Sequence, residues 1–413
     1  MNDMQKLFGF IQFLEKSKKT MRYADSDTVI NRDNLASHTW QAMLMNYIAA
    51  ENPEFGVDPI RVIKLTLVHD LPEILTGNDD YKNFFLWLSN RDDKYRIWAE
   101  IIRKITSELP EESGRELLGL WDEYWSWLTR EAIFVKAAEK MESMSFLIYH
   151  WASYIDIPEK APAHPRKAMS DFPLLKGYHK WFNWKLKELY LESGIEWKDE
   201  YDVSWESEAF KIFDKIFDFF QMAQKLKETL RYDSSPLIIE KDTAAEHIYR
   251  LVFMVFIVQM TLKLEIDLDK ALKIAIFHEI YWAMTWDIDN IRIYTCEMTK
   301  EEKLSNEISA MEKIREMLPS SLGEEIYGYW QEYSNGESKE AKFVKSLDRL
   351  ESISHLLYHT HTNFDEADMI AIYCDKAFRE TPELNPLLKI LKSWLKKEYV
   401  LKWWQWKEEY DLI

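Results

Sequence analysis

Apolar residues recur at helical spacing throughout the first half of the chain. A helix over residues 4–17 would carry four of them on one face: Leu7, Phe10, Ile11 and Leu14. Similar patterns predict helices at 58–76, 94–109, 114–129, 131–152 and about 172–191. No alternation of apolar and polar residues is long enough to indicate a strand. The pattern therefore predicts an all-α fold.

Polar and proline residues predict where several of these helices begin or bend. Asp33 and Asp242 stand where N-caps should, each before a helix that carries a histidine. Pro72 lies inside the helix at 58–76, removes one backbone donor and should bend or end that helix nearby. A proline-rich loop at 157–167 leads to the last helix of the first half.

Short stretches of the first half recur in the second half at one constant offset. The matching pairs are MRYADSD (21–27) and LRYDSSP (230–236), DNLASH (33–38) and DTAAEH (242–247), LVHD (67–70) and IFHE (276–279), FVKAAEKMES (134–143) and FVKSLDRLES (343–352), and WKDEYD (197–202) and WKEEYD (406–411). The offset is 209 residues in every pair, as between positions 38 and 247, which chance does not explain. We predict a tandem duplication with a joint near 203–208 and two helical domains, 1–204 and 205–413, that form an internal pseudo-dimer.

The composition limits the classes of protein to which the chain can belong. A hydrophobic content of 47% indicates a globular protein, and 10 glycines and 12 prolines suit helices with short connections. The net charge of −18 opposes binding of a long nucleic acid, but leaves room for a single nucleotide held beside a metal. Two cysteines cannot form a disulfide framework and suit a reduced intracellular setting.

Two apolar stretches bear on the location of the protein. The patch at 7–14 has neither a basic lead-in nor a small-residue cleavage site, so we expect no signal peptide. The run at 250–262 is too short to span a bilayer and indicates a buried helix. We therefore expect a soluble, cytoplasmic protein.

Histidines and carboxylates occupy matching positions on separate helices of the two halves. The candidate metal ligands are His38, His69, Asp70 and Glu139 in the first half, and His247, His278, Glu279 and Asp348 in the second. Two imidazoles and two carboxylates suit a divalent Mn, Fe, Co or Ni ion with open positions for water and substrate. A single histidine on an apolar helix is usually a packed core residue, but here four ligand-type residues recur at one offset.

The order of these residues, H…HD…D, resembles that of the HD-domain metal-dependent phosphohydrolases. The finer pattern is an Arg-aromatic pair, an EH-like helix start, HDxxE followed by LTG, and a KxxD-like helix. It is similar to that of the bacterial 5'-deoxynucleotidase type and extends over most of each half. The resemblance implies a compact all-α domain that holds one divalent metal.

The same resemblance implies roles for further residues. Two pairs would hold the phosphate and base of a nucleotide: Arg22 with Tyr23, and Arg231 with Tyr232. The implied catalytic residues are Glu73, which would handle the proton of the attacking water, and the ligand Asp70. An ordinary surface ion pair for Arg22 and ordinary packing for Tyr23 are open alternatives.

The two halves depart from the family pattern at different positions. The last metal-binding Asp of the family is Glu139 in the first half, and Ser37 replaces a Glu before the first histidine. In the second half, Glu279 replaces the Asp of the HD pair and Trp282 stands at the position of Glu73. Because an indole cannot exchange a proton with water, the second half is predicted to be catalytically impaired even if it binds metal.

Three functions fit these features. The favoured one is hydrolysis of a nucleoside monophosphate or a similar small phosphomonoester, mainly by the first domain. The alternatives are a degenerate protein that binds a nucleotide without turnover and a structural module that makes partner contacts.

No histidine lies between the second and fourth ligands of either half, which favours one metal per site. The resemblance to the HD family implies that its single-domain members form homodimers. We therefore expect a monomer whose two halves are related by an internal pseudo-two-fold axis.

Overall fold

The structure, a computed structural model, describes residues 2–24, 33–77, 91–150, 159, 161–163, 165–203, 210–285 and 299–411. Regular structure in these residues is helical apart from two-residue strands, which confirms the predicted all-α fold. Strands β1 (Leu230–Arg231) and β2 (Asp242–Thr243) pair antiparallel, and Met21 and Asn34 form a bridge at the matching place in the first half. The predicted joint at 203–208 lies almost entirely outside the described residues.

The helices follow the same order in both halves. Those of the first half are α1 (Asp3–Leu14), α2 (Leu35–Ala50), α3 (Pro59–Val68), α4 (Glu73–Thr76), α5 (Arg91–Ser107), α6 (Glu111–Ser126), α7 (Arg130–Tyr149), α8 (Arg166–Asp171) and α9 (Lys176–Glu192). Those of the second half are α10 (Phe210–Gln224), α11 (Ala244–Leu262), α12 (Leu268–Phe277), α13 (Trp282–Thr285), α14 (Lys300–Met317), α15 (Ser320–Asn335), α16 (Lys339–Tyr358), α17 (Ala367–Ile372), α18 (Asp375–Arg379) and α19 (Asn385–Leu401).

The predicted N-caps, Asp33 and Asp242, are each wrong by one residue. Helix α2 is capped by Asn34 and α11 by Thr243, and each of these side chains accepts a hydrogen bond from a backbone N–H of the first turn. The two aspartates are buried and form ion pairs with a lysine and an arginine instead. The two aspartates therefore compensate buried cations and do not cap the helices.

The helix predicted over 58–76 is interrupted at the histidine motif. Helix α3 ends at Val68, His69 forms its C-cap, and Pro72 stands at the N-cap of α4. Pro72 has no N–H to extend the helical ladder, so the first helix stops before it. The pair His69-Asp70 consequently lies in a tight turn between two helices.

Helix α11 contains the apolar run at 250–262. The helix extends beyond that run, and at 19 residues it is long and apolar enough to cross a membrane by length and composition. However, 78% of its most apolar window is buried inside the protein. That burial is characteristic of a core helix, as predicted.

Helices α2 and α11, which carry the first histidine of each half, lie side by side between the halves. They are equivalent in the repeat, so their contact relates the halves as an isologous interface relates two subunits. At their N-terminal ends, Asn34 Nδ2 donates to Glu246 Oε1 at 2.6 Å. The halves thus form the internal pseudo-dimer that the duplication predicts.

Each half also contributes its first helix to the other half. Helix α1 packs against α11, α16 and α19, with the rings of Phe8 and Trp394 centred 5.2 Å apart. Helix α10 packs against α7 and α9, and Gln221 Nε2 donates to Ser145 Oγ at 2.8 Å. The helices that carry candidate ligands are therefore covered by residues from both sequence halves.

Candidate metal centre

In the first half, the interruption between α3 and α4 brings His69 and Asp70 next to His38 of α2. The ligand atoms of these three residues lie within 4.8 Å of one another. His69 Nε2 is 3.0 Å from Asp70 Oδ2, and His38 Nε2 is 3.9 Å from the same oxygen. Both histidines are buried, so the cluster lies beneath the protein surface.

The second ring nitrogen of each histidine is held by the protein. His38 Nδ1 lies 2.5 Å from Glu142 Oε2, and His69 Nδ1 lies 2.6 Å from the carbonyl oxygen of Thr66. A carbonyl oxygen can only accept, so Nδ1 of His69 carries a proton and Nε2 presents a lone pair when the ring is neutral. The Glu142 carboxylate favours the same tautomer for His38, which is the form that ligates metals through Nε2.

Glu139 of α7, the fourth predicted ligand, lies at the edge of this cluster. Its Oε2 is 3.7 Å from His69 Nε2 and accepts a hydrogen bond from the Tyr124 hydroxyl at 2.7 Å. Its Oε1 pairs with Lys136 at 3.0 Å and with Lys140 at 2.8 Å. Against the effect of burial, these two lysines hold the pKa of Glu139 well below its usual value. A metal would have to share this carboxylate with three other groups.

In the second half, all four predicted ligands come together: His247, His278, Glu279 and Asp348. Their ligand atoms lie within 4.8 Å of one another. His247 Nε2 is 3.2 Å from Asp348 Oδ1 and 3.7 Å from Glu279 Oε2. His278 Nε2 is 3.6 Å from Glu279 Oε1. The half that was predicted to be degenerate has the more compact cluster.

The contacts behind the ligands repeat as well. His247 Nδ1 binds the carboxylate of Glu351, which is the counterpart of Glu142, and His278 Nδ1 lies 2.9 Å from the Ala275 carbonyl oxygen. Sequence analysis missed Glu142 and Glu351. The recurrence of MES and LES at the same offset in the two ligand helices was the available signal for them.

Three imidazole nitrogens indicate a metal at these clusters. Within the described part of the chain, Nε2 of His278 is buried without a hydrogen-bond partner, whereas Nε2 of His69 and of His247 faces a carboxylate oxygen at 3.0 and 3.2 Å. Leaving a buried polar atom unpaired costs about 1–3 kcal/mol, and a cation coordinated by the lone pair removes that cost. Imidazole and carboxylate donors suit Mn, Fe, Co or Ni. The residues present therefore fit a divalent transition metal.

The two histidines of the second half differ in pKa. Burial lowers the pKa of His278 to about 4, so its ring is neutral and able to ligate at pH 7. Burial and Arg231 also oppose the charged form of His247, but Glu351 and Glu279 outweigh them and raise its pKa to about 9. A cation among these carboxylates would replace that proton, because ligation requires the neutral ring.

The two tyrosines predicted to contact the base adopt matching conformations. Tyr23 and Tyr232 have left-handed backbones with φ of 56° and 60°, a region that residues other than glycine rarely occupy. Tyr23 stacks on Phe146 with ring centroids 5.3 Å apart, and Tyr232 stacks on His355 at 5.8 Å. Packing against the protein therefore accounts for one face of each ring.

The two arginines predicted to contact the phosphate are held differently. Arg231 is buried and donates to Glu351 at 3.2 Å and to Ser352 Oγ at 2.9 Å. Arg22 is half-buried, and despite that burial nearby anionic groups, among them Glu142, raise its pKa above the usual value. Both are thus cations near a metal cluster, and Arg231 is tied into a buried ion pair.

Glu73 begins α4 and is buried, three residues after Asp70. Its Oε1 lies 3.9 Å from Lys94 Nζ, and its charge helps to raise the pKa of Tyr124, after the larger effect of burial. The backbone N–H of Glu73 donates to the Asp70 carbonyl oxygen at 2.9 Å, so the residue lies one turn from the first cluster. In the second half Trp282 is buried at the equivalent position at the start of α13.

A cavity of about 460 Å³ opens beside the second cluster. Three residues of the cluster line it, His278, Glu279 and Asp348, together with Glu307 and Asp365. Five cationic residues line it as well: Arg231, Lys300, Lys303, Lys345 and Arg349. The counterparts of Lys345 and Arg349 in the first half are the two lysines that pair with Glu139. Sequence analysis did not single out Lys345 or Arg349, since a charged residue on a helix is usually solvated.

Comparison with known proteins finds one family in both halves. The sequence model of the HD domain matches residues 14–155 and 223–385, which together exceed half of the chain. The 5'-deoxynucleotidase HDDC2 of Xenopus laevis is 32% identical over 146 residues, covering 34% of this chain and 68% of that protein. The 5'-deoxynucleotidase HDDC2 of Homo sapiens is 34% identical over 142 residues, covering 33% of this chain and 65% of that protein.

A solved structure is also similar. It is described as a predicted metal-dependent phosphohydrolase from Magnetospirillum magnetotacticum and is 21% identical, with a TM-score of 0.38. The match covers 47% of this chain and 98% of that one.

Proposed function

The chain belongs to the HD domain family, and from this premise we propose that it is a metal-dependent phosphohydrolase. Its substrate is a nucleoside monophosphate or a similar small phosphomonoester, and hydrolysis takes place in the first half. Relatives named as 5'-deoxynucleotidases support this class of substrate.

The position of Glu73 beside the His38, His69 and Asp70 cluster carries the assignment to the first half. Glu73 is a buried carboxylate close to the ligands, where a proton acceptor for water is needed. The second half has the complete ligand cluster but a tryptophan at the equivalent position.

The roles of the residues follow from their chemistry. A divalent metal held by His38, His69 and Asp70 would supply a water of lowered pKa and polarise a phosphoryl oxygen. Glu73 takes the proton from the attacking water. Arg22 offsets the negative charge of the phosphate, because a guanidinium matches phosphate oxygens in charge and geometry. Tyr23 contacts the base with the ring face that does not stack on the protein.

The second half favours a different task, that of binding without turnover. Its cluster can hold a metal, and the adjoining cavity of about 460 Å³ carries Lys345 and Arg349 beside the ligands. Cations next to a metal suit a phosphorylated small molecule. With Trp282 in place of a proton acceptor, such a ligand would stay intact.

We also propose that the chain acts as a cytoplasmic monomer. Helices α2 and α11, which are equivalent in the repeat, already pack against each other between the two halves. The net charge of −18 disfavours long nucleic acids as partners and leaves a small nucleotide as the ligand.

Metal analysis combined with a phosphate-release screen tests the proposed function. The purified protein is stripped with a chelator, reloaded with Mn²⁺, Fe²⁺, Co²⁺ or Ni²⁺, and incubated with ribo- and deoxyribonucleoside 5'-monophosphates. We expect metal-dependent phosphate release from at least one nucleotide. Bound metal with no release from any nucleotide would favour binding alone, and a chain that binds no metal would favour a structural module.

A further inference from the structure

We propose that Lys227, which belongs to the second half, is a positioning residue for the metal centre of the first half and acts through Glu142 on His38. The inference rests on the proposed metal centre. It adds that the first centre is incomplete without a cation from the other half of the chain.

The contact is direct and buried. Lys227 ends a short 3₁₀ turn that follows α10, and its Nζ lies 2.8 Å from Glu142 Oε1 and 2.9 Å from Asp33 Oδ2. The Lys227 side chain is 7% exposed and that of Glu142 is 1% exposed. The second oxygen of Glu142 lies 2.5 Å from His38 Nδ1.

The two oxygens of Glu142 thus have separate partners. Lys227 fixes one of them, which leaves the other to orient the His38 ring so that Nε2 faces Asp70. A carboxylate that holds a ligating histidine sets the tautomer and direction of that ring. Without a cation at its other oxygen, the buried Glu142 would lose the contact that holds it in place.

The second half supports its own histidine with different cations. Glu351, the counterpart of Glu142, binds Arg250 of α11 and also Arg231, and both arginines belong to the same half as Glu351. The first half has Gln41 at the position of Arg250. The counterpart of Lys227 is Lys18, whose Nζ is 3.9 Å from Asp242 and donates to the Lys241 carbonyl oxygen at 2.9 Å.

A second pair of equivalent positions also differs in charge between the two halves. Arg250 also pairs with Glu15, which the first half supplies, whereas the counterpart of Glu15 is the neutral Gln224. The half that contains the arginine thus also receives a carboxylate across the interface. The half without that arginine relies on Lys227. This asymmetry assigns Lys227 a task that Lys18 does not have.

Metal titration in a chain with one functional cluster tests this inference. His278→Ala removes a ligand of the second cluster, and in that background Lys227→Met is compared with Lys18→Met by calorimetric titration with Mn²⁺. We expect Lys227→Met to weaken Mn²⁺ binding by about 10- to 100-fold, the usual effect of losing a residue behind a ligand. Lys18→Met should leave the affinity unchanged, and Lys227→Arg should restore part of it.

Two further measurements separate positioning from loss of the fold. Thermal unfolding in EDTA reports stability without metal, and Lys227→Met/Asp33→Asn removes one of the two buried carboxylates that the single variant leaves without their lysine. Weakened Mn²⁺ binding in this folded double variant supports the inference. Unchanged affinity in the Lys227 variants overturns it alone, whereas a parent chain that retains Lys227 but binds no Mn²⁺ overturns the proposed function as well.

Discussion

Glu139 and Asp348 occupy the same place in the repeat but differ by one methylene. The longer Glu139 side chain reaches Lys140 at 2.8 Å, whereas Asp348 lies 3.2 Å from His247 as part of the second cluster. The half that keeps Glu73, the proposed proton acceptor, therefore has a proposed fourth ligand that also binds lysines. The half with the four-residue cluster has Trp282 at the position of that acceptor.

The first prediction concerns Glu73. Glu73→Gln keeps the shape of the side chain but removes its ability to take a proton, so we expect kcat to fall by about 10²- to 10⁴-fold. Metal content should not change, since Glu73 is not among the proposed ligands. Steady-state phosphate release and metal analysis of the same preparation measure both effects. Trp282→Phe is the matched control and should retain activity, and a Glu73→Gln protein with normal kcat would contradict the assignment.

A second prediction concerns the buried His179 of α9. Burial lowers its pKa to about 4, aided by Arg166 and opposed by a hydrogen bond to the backbone of Pro162. Between pH 6.5 and 4 the unfolded chain therefore binds a proton that the folded chain does not. Stability should fall with decreasing pH in this window, by up to about 1.4 kcal/mol per pH unit from this group.

The comparison of wild type with His179→Gln isolates that contribution. Urea unfolding at pH 7.5, 6 and 5 gives the free energy of unfolding of each protein relative to its own value at pH 7.5. This free energy should fall less on acidification in the variant than in the wild type. Parallel pH profiles for the two proteins would show that His179 is not the group responsible.

At the scale of elements, the turn between α3 and α4 determines the site. The turn holds His69 and Asp70 where both can face His38, with Pro72 at its end. The same interruption separates α12 from α13 in the second half, where Tyr281 stands at the position of Pro72, so a proline is not required for it. Helix α6 also depends on a local feature, a close crossing with the end of α5 at Gly114.

A third prediction follows from that crossing. A Cβ at Gly114 would lie 2.3 Å from the Thr106 carbonyl oxygen, so Gly114→Ala forces the two helices apart. We expect a loss of about 1–3 kcal/mol in the free energy of unfolding, as for other overpacked sites. Gly119 lies in the same helix with nothing within 4 Å of a Cβ. Gly119→Ala should stabilise the protein by up to about 1 kcal/mol, and chemical denaturation of both variants decides the matter.

The sequence predicts the elements better than their exact ends. Helical spacing and the 209-residue offset are properties of the chain itself, so the all-α fold and the duplication follow from them. Asp33 was predicted to cap α2 because aspartate is a good N-cap, but Asn34 does so and Asp33 binds Lys227. No local pattern indicates a lysine that arrives from a position 194 residues away.

The candidate site shows the same division. The types and order of the proposed ligands are visible in the sequence, and the structure places all of them together except Glu139, which lies at the edge of the first cluster. Other features of the site depend on packing between helices. They are the pairing of Glu139 with two lysines and the group of cations beside the second cluster. A charged residue on an amphipathic helix is normally solvated, so periodicity alone does not distinguish these cations from surface residues.

At the scale of the whole molecule, each half completes the other. Helix α1 packs on the second half and α10 on the first, while α2 and α11 form the central contact. A duplication can exchange such helices within one chain because the two-fold contact is already internal. The two clusters are thus built into a single unit.

A fourth prediction is that the chain is monomeric in solution. The surfaces that would join two subunits are already buried between its halves, so no second copy is needed to cover them. Size-exclusion chromatography with light scattering should give a mass near 49.6 kDa at all concentrations tested. A stable species of twice that mass would contradict this expectation.

The most direct test of the central claim compares one ligand variant in each half. The claim is that phosphate is released at the first cluster, so His69→Ala should abolish release from a nucleoside 5'-monophosphate while His278→Ala retains it. The measurement is the rate of phosphate release at saturating Mn²⁺ by the two variants and the wild type. Loss of activity in His278→Ala with retention in His69→Ala would show that catalysis belongs to the second half and contradict the account.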